Sequence, residues 1–173
     1  MTPTLLVLGG ARSGKSRYAQ GRIEALPVGS SGRLAYLATA QAFDAEMAER
    51  IALHRDDRGP RWITVEEPVD LAAAICRAAS DADAVLIDCL TLWLSNLMLA
   101  DRDLDGPIAD LRAVLAAPPC PLVLVSNEVG LGIVPDNALA RRFRDEAGRL
   151  NQAVAATVDE VQFLAAGLPL KLK

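Results

Sequence analysis

A chain of 173 residues that is 51% hydrophobic carries enough apolar material for one compact domain with a sizeable core, which excludes a disordered chain. Its formal net charge of −4, with no long basic run, argues against non-specific nucleic-acid binding, although a local basic groove stays open. The first apolar run is too short for a signal peptide and none approaches the about 20 residues of a membrane span, so the expected location is the cytoplasm.

Residues 4–8, Thr-Leu-Leu-Val-Leu, read as a buried strand, and residues 15–26 can form a helix. Residues 33–39 read as a second strand. Asp44 can cap a helix reaching to about Arg58, on which Met47, Ile51 and His54 share one face and Arg50, His54 and Arg58 a neighbouring stripe. Gly59-Pro60 stops it. Residues 62–65 form a short third strand, followed by a helix from Asp70 through Ala79. Residues 84–88 form a fourth strand, ending on the carboxylate of Asp88 in the manner of a Walker B segment. Residues 90–99 are helix-like. Asp105-Gly106-Pro107 opens a further helix, ended by Pro118-Pro119. Residues 122–126 are a fifth strand, residues 127–135 a glycine-rich loop, and residues 138–157 a long helix. Residues 161–165 and 170–172 are candidate closing strands. Continuous apolar strands alternating with helices predict a mostly parallel sheet covered on both faces. In such folds ligands sit beyond the C-terminal strand ends. The loop after the first strand, Thr39, Glu66, Asp88 and residues 126–128 are therefore expected along one edge of the sheet. Cys76, Cys89 and Cys120 lie far apart without metal-site spacing, and all three are expected to be reduced, buried thiols.

Between the first strand and the first helix lies Gly9-Gly10-Ala11-Arg12-Ser13-Gly14-Lys15-Ser16. It fits the pattern of glycine, four residues, then Gly-Lys-Ser/Thr, in the strand–loop–helix context a phosphate cradle needs. Glycines let the loop turn its N–H groups toward phosphate oxygens, and the helix N-terminus adds its dipole. Lys15 is placed to reach the β- and γ-phosphates, and Ser16 to ligate Mg²⁺. Asp88 is the best second oxygen ligand for that ion; otherwise it is a strand-end cap. His54, the one histidine in the chain, sits on an apolar helical face where histidines are usually packed. Its neighbours Arg50, Arg55 and Arg58 suit a polyphosphate and would help keep the imidazole neutral, hence nucleophilic toward phosphorus.

These residues resemble the bifunctional adenosylcobinamide kinase/adenosylcobinamide-phosphate guanylyltransferase family, a three-layer α/β fold of the P-loop NTPase, RecA-like class. The resemblance runs almost end to end. Beyond the glycine loop it rests on Tyr36-Leu37-Ala38-Thr39-Ala40, on Asp44-Ala45-Glu46-Met47 with Arg50-Ile51 and His54, and on Trp62-Ile63-Thr64-Val65-Glu66. More specific are Asp88-Cys89-Leu90-Thr91-Leu92-Trp93-Leu94-Ser95-Asn96, Ser126-Asn127-Glu128-Val129-Gly130 and the block from Ala140 to Gln152. What the resemblance implies is two reactions: phosphorylation of adenosylcobinamide by ATP or GTP, then transfer of GMP from GTP to the product through a guanylylated histidine, with His54 at that position. The family's nucleotide contacts fall here on residues 9–16, on Ala38, Thr39 and Ala40, on Arg55, Asp56, Asp57 and Arg58, and on Glu66 and Asp88. Glu66 would accept from a guanine edge, or else be a solvated acid before Pro68. The family's assembly implies a homo-oligomer, a trimer. From the residues alone, a monofunctional small-molecule kinase and an ATPase module that moves a partner both stay open. A covalent GMP adduct separates the first from the bifunctional enzyme, and partner-stimulated hydrolysis without corrinoid turnover would mark the second.

Overall fold

A computed structural model describes residues 2–27, 29, 31–40 and 59–173. In chain order the elements are β1 (Thr4–Gly9), α1 (Lys15–Glu24), β2 (Leu34–Ala38), β3 (Trp62–Glu66), α2 (Leu71–Asp81), β4 (Ala84–Asp88), α3 (Leu90–Leu99), α4 (Asp105–Ala116), β5 (Leu122–Asn127), α5 (Ala138–Thr157), β6 (Glu160–Ala165) and β7 (Leu168–Lys171). Ends differ from the sequence expectation by a residue or two, as helix and strand ends usually do. The expected helix from Asp44 lies outside the described residues.

The strands form one seven-stranded sheet in the order β3-β2-β4-β5-β1-β6-β7. Every neighbouring pair is parallel except β6–β7, an antiparallel hairpin. The parallel pairing follows from burial on both faces. In β1, Leu5 and Val7 join the core under α1, while Leu6 and Leu8 join the core under the other helices. Strands β4 and β5 alternate in the same way, with Leu86 and Val123 on the α1 side and Ile87 and Leu124 on the other. A strand apolar at every position needs helices over both faces. Alanine allows them to come close: Ala19 of α1 and Ala74 of α2 are fully buried.

One local expectation is corrected. Cys89 and Cys120 are buried thiols, but Cys76 is exposed. The buried stripe of α2 is Leu71, Ala74, Ile75 and Ala78, and Cys76 falls outside that i, i+3, i+4, i+7 face. Asp70 occupies the N-cap position of α2, but its side chain makes no capping bond. Ahead of the helix, Glu67 Oε1 accepts from the N–H groups of Val69 and Asp70, and its Oε2 from Arg77. Burial raises the Glu67 carboxyl, but these three donors outweigh it and hold the group below the ordinary carboxylate value.

Helix α1 is tied to β6 by a bidentate pair, Arg22 Nη1 and Nη2 donating to Glu160 Oε1 and Oε2 at 2.9 and 2.7 Å. Arg22 holds the Glu160 carboxyl at about 2, well below its ordinary 4.5. A depressed acid contributes stability above its unfolded value and loses it as pH falls through the folded one. The pair therefore supports the fold at neutral pH and fades between about 4.5 and about 2. Arg22→Met should cost about 1 kcal/mol at pH 7, the screened worth of a partly exposed pair. Denaturant melts at pH 7 and pH 3 should show the cost shrinking at the lower pH; an equal cost at both would assign it to packing instead.

Candidate active site

Because β1 to β5 all run the same way, their C-terminal ends lie on one edge. Reading across that edge, Glu66 pairs with Ala38, Ala38 with Asp88, Asp88 with Val125, and Asn127 with Gly9. The expected convergence is present. Strand β5 lies between β1 and β4, so Asp88 is two strand positions from the glycine loop, about 10 Å at ordinary strand spacing.

The loop begins where a side chain has no room. A Cβ on Gly9 would lie 2.5 Å from Ser13 Oγ and 2.7 Å from the Leu164 carbonyl. Arg12 and Gly14 have φ of 56° and 93°, so the backbone turns through the left-handed region twice before α1 starts at Lys15. Ser13 Oγ is buried with no hydrogen-bond partner among the described residues. A buried hydroxyl without a protein acceptor fits a loop shaped to receive an anion. Lys15 Nζ donates to the Gly10 carbonyl at 3.1 Å, which holds the ammonium over the loop. Ser16 is exposed on the first turn of α1.

The hairpin closes against this loop. The N–H of Gly167, in the β6–β7 turn, donates to the Ser13 carbonyl at 2.9 Å. A Cβ on Gly14 would meet Gly167 Cα at 3.4 Å. The sequence shows the two short strands but not this contact; the signal available is Ala166-Gly167, a turn pair with φ of 53° and 80°.

At the end of β4, Asp88 Oδ2 accepts from the Tyr36 hydroxyl at 2.9 Å. Behind it, the Thr39 hydroxyl is fully buried, accepting from Cys89 N–H and donating to Cys89 carbonyl, both at 2.8 Å. Asn96 Nδ2 donates to the carbonyls of Thr39 and Pro68. The Thr39 side chain is thus committed to the protein, as are its N–H, which donates to the Asp88 carbonyl, and the Ala38 carbonyl, which accepts from the Glu67 N–H. Burial and the adjacent Asp88 carboxylate push the Cys89 thiol up, so it stays protonated. Glu66 is exposed at the far end of the edge. His54, Arg55, Asp56, Asp57 and Arg58 lie outside the described residues. No cluster of three or more His, Cys, Asp or Glu suited to a metal occurs among the described residues, and no described helix is long and apolar enough to cross a membrane.

The model of one family, cobinamide kinase / cobinamide phosphate guanyltransferase, matches residues 5–172. The chain belongs to that family. A Pseudomonas aeruginosa protein named bifunctional adenosylcobalamin biosynthesis protein CobP is 51% identical over 170 residues, covering 97% of this chain and 96% of its own. The bifunctional adenosylcobalamin biosynthesis protein CobU of Salmonella typhimurium is 43% identical over 184 residues, covering 98% and 99%. Its Escherichia coli namesake is 42% identical at the same coverage. Among solved structures, the flagellar accessory protein FlaH of Methanocaldococcus jannaschii aligns with a TM-score of 0.54 at 11% identity, over 99% of this chain and 78% of that one. The VirB11 ATPase of the Brucella suis type IV secretion system aligns at 0.51 and 13%, over 99% and 49%. These two likenesses show the fold, and the α/β class expected from the sequence is the observed one.

If the hairpin turn buttresses the glycine loop, straining it should loosen the loop. Gly167 has φ of 80°, where a Cβ costs roughly 1–2 kcal/mol. Gly167→Val is expected to lower stability by about that amount and to weaken binding of a nucleoside triphosphate, read by calorimetric titration. Unchanged affinity in the destabilised variant would separate the turn from the loop.

Proposed function

We infer that the protein phosphorylates adenosylcobinamide with ATP or GTP and then joins the product to GMP from GTP, giving adenosylcobinamide-GDP and pyrophosphate. The observation that carries this reading is the family match across residues 5–172, with the glycine loop and Asp88 on one sheet edge. In the first reaction the aminopropanol hydroxyl attacks the γ-phosphorus and the bond to the bridging oxygen breaks. The loop N–H groups and Lys15 hold the phosphates in line and offset charge on the leaving oxygens. Ser16 and Asp88 offer a hydroxyl and a carboxylate oxygen to Mg²⁺, a hard donor pair with the remaining positions left to phosphate oxygens and water. When bound, the ion neutralises charge on the phosphates.

In the second reaction a nitrogen of His54 attacks the α-phosphorus of GTP and pyrophosphate leaves. The phosphate made in the first step then attacks the same phosphorus, the P–N bond breaks, and the imidazole is restored. Residues 9–16, Ala38, Thr39 and Ala40, residues Arg55, Asp56, Asp57 and Arg58, and Glu66 complete the nucleotide site in this reading. Glu66 is four strand positions from Gly9, about 19 Å at ordinary spacing, which suits a base held far from the phosphates. A homotrimer in the cytoplasm belongs to the same proposal.

Asp88→Asn keeps the side-chain size and the bond from Tyr36 while removing the charge. It should raise the Mg²⁺ concentration needed for half-maximal rate without unfolding the chain; an unchanged metal titration would leave Asp88 a strand-end acceptor for Tyr36.

His54→Ala is expected to abolish protein-bound GMP after incubation with labelled GTP and to remove most nucleotidyl transfer, while phosphorylation persists at least in part. The adduct, phosphorus on nitrogen, should be lost in mild acid and survive alkali. Intact transfer, or an acid-stable adduct on another residue, would refute the assignment.

A further inference from the structure

The hydroxyl that accepts phosphate must lose its proton, and neither Lys15, Ser16 nor Asp88 is placed to take it: one is a cation and two are assigned to Mg²⁺. The insertion of β5 between β1 and β4 puts another carboxylate in the middle of the edge. Asn127 ends β5 beside Gly9, and the N–H of Glu128 donates to the Gly9 carbonyl at 3.0 Å. Val125 pairs with Asp88, so the chain runs on past Asp88 before it reaches Glu128. Glu128 therefore stands between the glycine loop and Asp88, past the C-terminal end of β5 and farther out from the sheet than Asp88.

Its backbone is fixed with unusual thoroughness. Asn127 Nδ2 donates to Thr91 Oγ1 at 2.7 Å and to Cys89 Sγ at 3.4 Å. Asn151 Nδ2 donates to the Asn127 carbonyl, and Asn151 Oδ1 accepts from the Ser126 hydroxyl at 2.6 Å. The half-buried Glu128 carboxylate accepts from the Gly130 N–H through Oε1. Among the described residues no cation pairs with it, and its second oxygen receives no hydrogen bond. One oxygen orients the group and the other is left to accept a proton.

We propose that Glu128 is the general base of the phosphorylation step. This rests on the kinase–guanylyltransferase reading above. As the acceptor oxygen bonds to the γ-phosphorus and the bridging P–O bond breaks, the hydroxyl proton passes to Oε2 of Glu128, and the nucleoside diphosphate leaves with the electron pair of the broken bond. The guanylylation steps need no such base. A neutral imidazole attacks through its lone pair, and a phosphate monoester, with its second ionisation near about 6, is already an anion at neutral pH.

The test is a split between half-reactions. Glu128→Gln retains an oxygen for the Gly130 N–H and cannot take a proton. It should lower kcat for phosphorylation by about 10²–10⁴-fold, the usual worth of a general base, with little change in KM for the triphosphate. Labelling of the protein by GTP, and transfer of GMP to adenosylcobinamide phosphate supplied directly, should fall less than tenfold. In Glu128→Ala, added formate should restore part of the phosphorylation rate, a rescue that a structural role would not give. Phosphorylation within tenfold of wild type in Glu128→Gln would overturn the proposal. So would equal losses in both half-reactions, or no formate rescue in folded Glu128→Ala. Failure of the wild-type protein to phosphorylate adenosylcobinamide at all would instead count against the proposed function itself.

Discussion

The site depends on one close approach, where β1 ends at Gly9. A strand hydrogen-bonded on both sides has little freedom, and Gly9 is bracketed by Asn127 on one side and Leu164 on the other. The chain can turn out of the sheet there only because no Cβ stands between Ser13 and the Leu164 carbonyl. Everything downstream inherits that position: the left-handed residues of the loop, the N-terminus of α1 and the ammonium of Lys15. A loop anchored in this way presents its N–H groups without reorganising, which is what makes fixed dipoles effective toward charge.

A second constraint works at the middle of the edge. Ser126, Asn151, Asn127, Thr91, Cys89 and Thr39 are polar groups in or beside the core, and each is hydrogen-bonded to another or to backbone. Such a network tolerates few alternatives, because a buried partner left unpaired costs more than the bond itself contributes. It ties β2, β4, β5, α3 and α5 together just below the carboxylates of Asp88 and Glu128. Packing alone would fix these elements to within a side chain's slack; the network fixes the strand ends.

Much of this was legible beforehand, and the reason is physical. Strands buried on both faces are continuous apolar runs, and glycine and proline mark their ends, so element types and the parallel sheet could be read directly. Residues such as Gly9, Lys15 and Asp88 stood out because their spacing answers a chemical need. Strand order did not, because no local signal says that β5 inserts between β1 and β4; that comes from the packing of the whole. The same holds for Thr39, whose hydroxyl is spent on the backbone of Cys89, and for Glu67, whose carboxylate gathers the N–H groups of Val69 and Asp70 ahead of α2. In each case the deciding partner lies elsewhere in the fold, or one turn away in a geometry that composition does not report. Glu128 was part of a recognised block, yet its place at the centre of the edge follows only from that strand order.

The pairing of β1 has a further consequence for how the chain is made. The glycine loop is encoded near the start, yet the strands that flank β1 and the turn that closes on Ser13 come from the other end; Thr4 and Asp159 hydrogen-bond across 155 residues. During synthesis the loop sequence leaves the ribosome long before its walls exist. Until β5 and β6 emerge, β1 is an unpaired apolar strand, the kind of segment that chaperones recognise and that aggregates when left exposed. Pairings of such long sequence separation also fold slowly. A nascent or prematurely terminated chain therefore carries the glycine loop without the strands and the turn that pack around it.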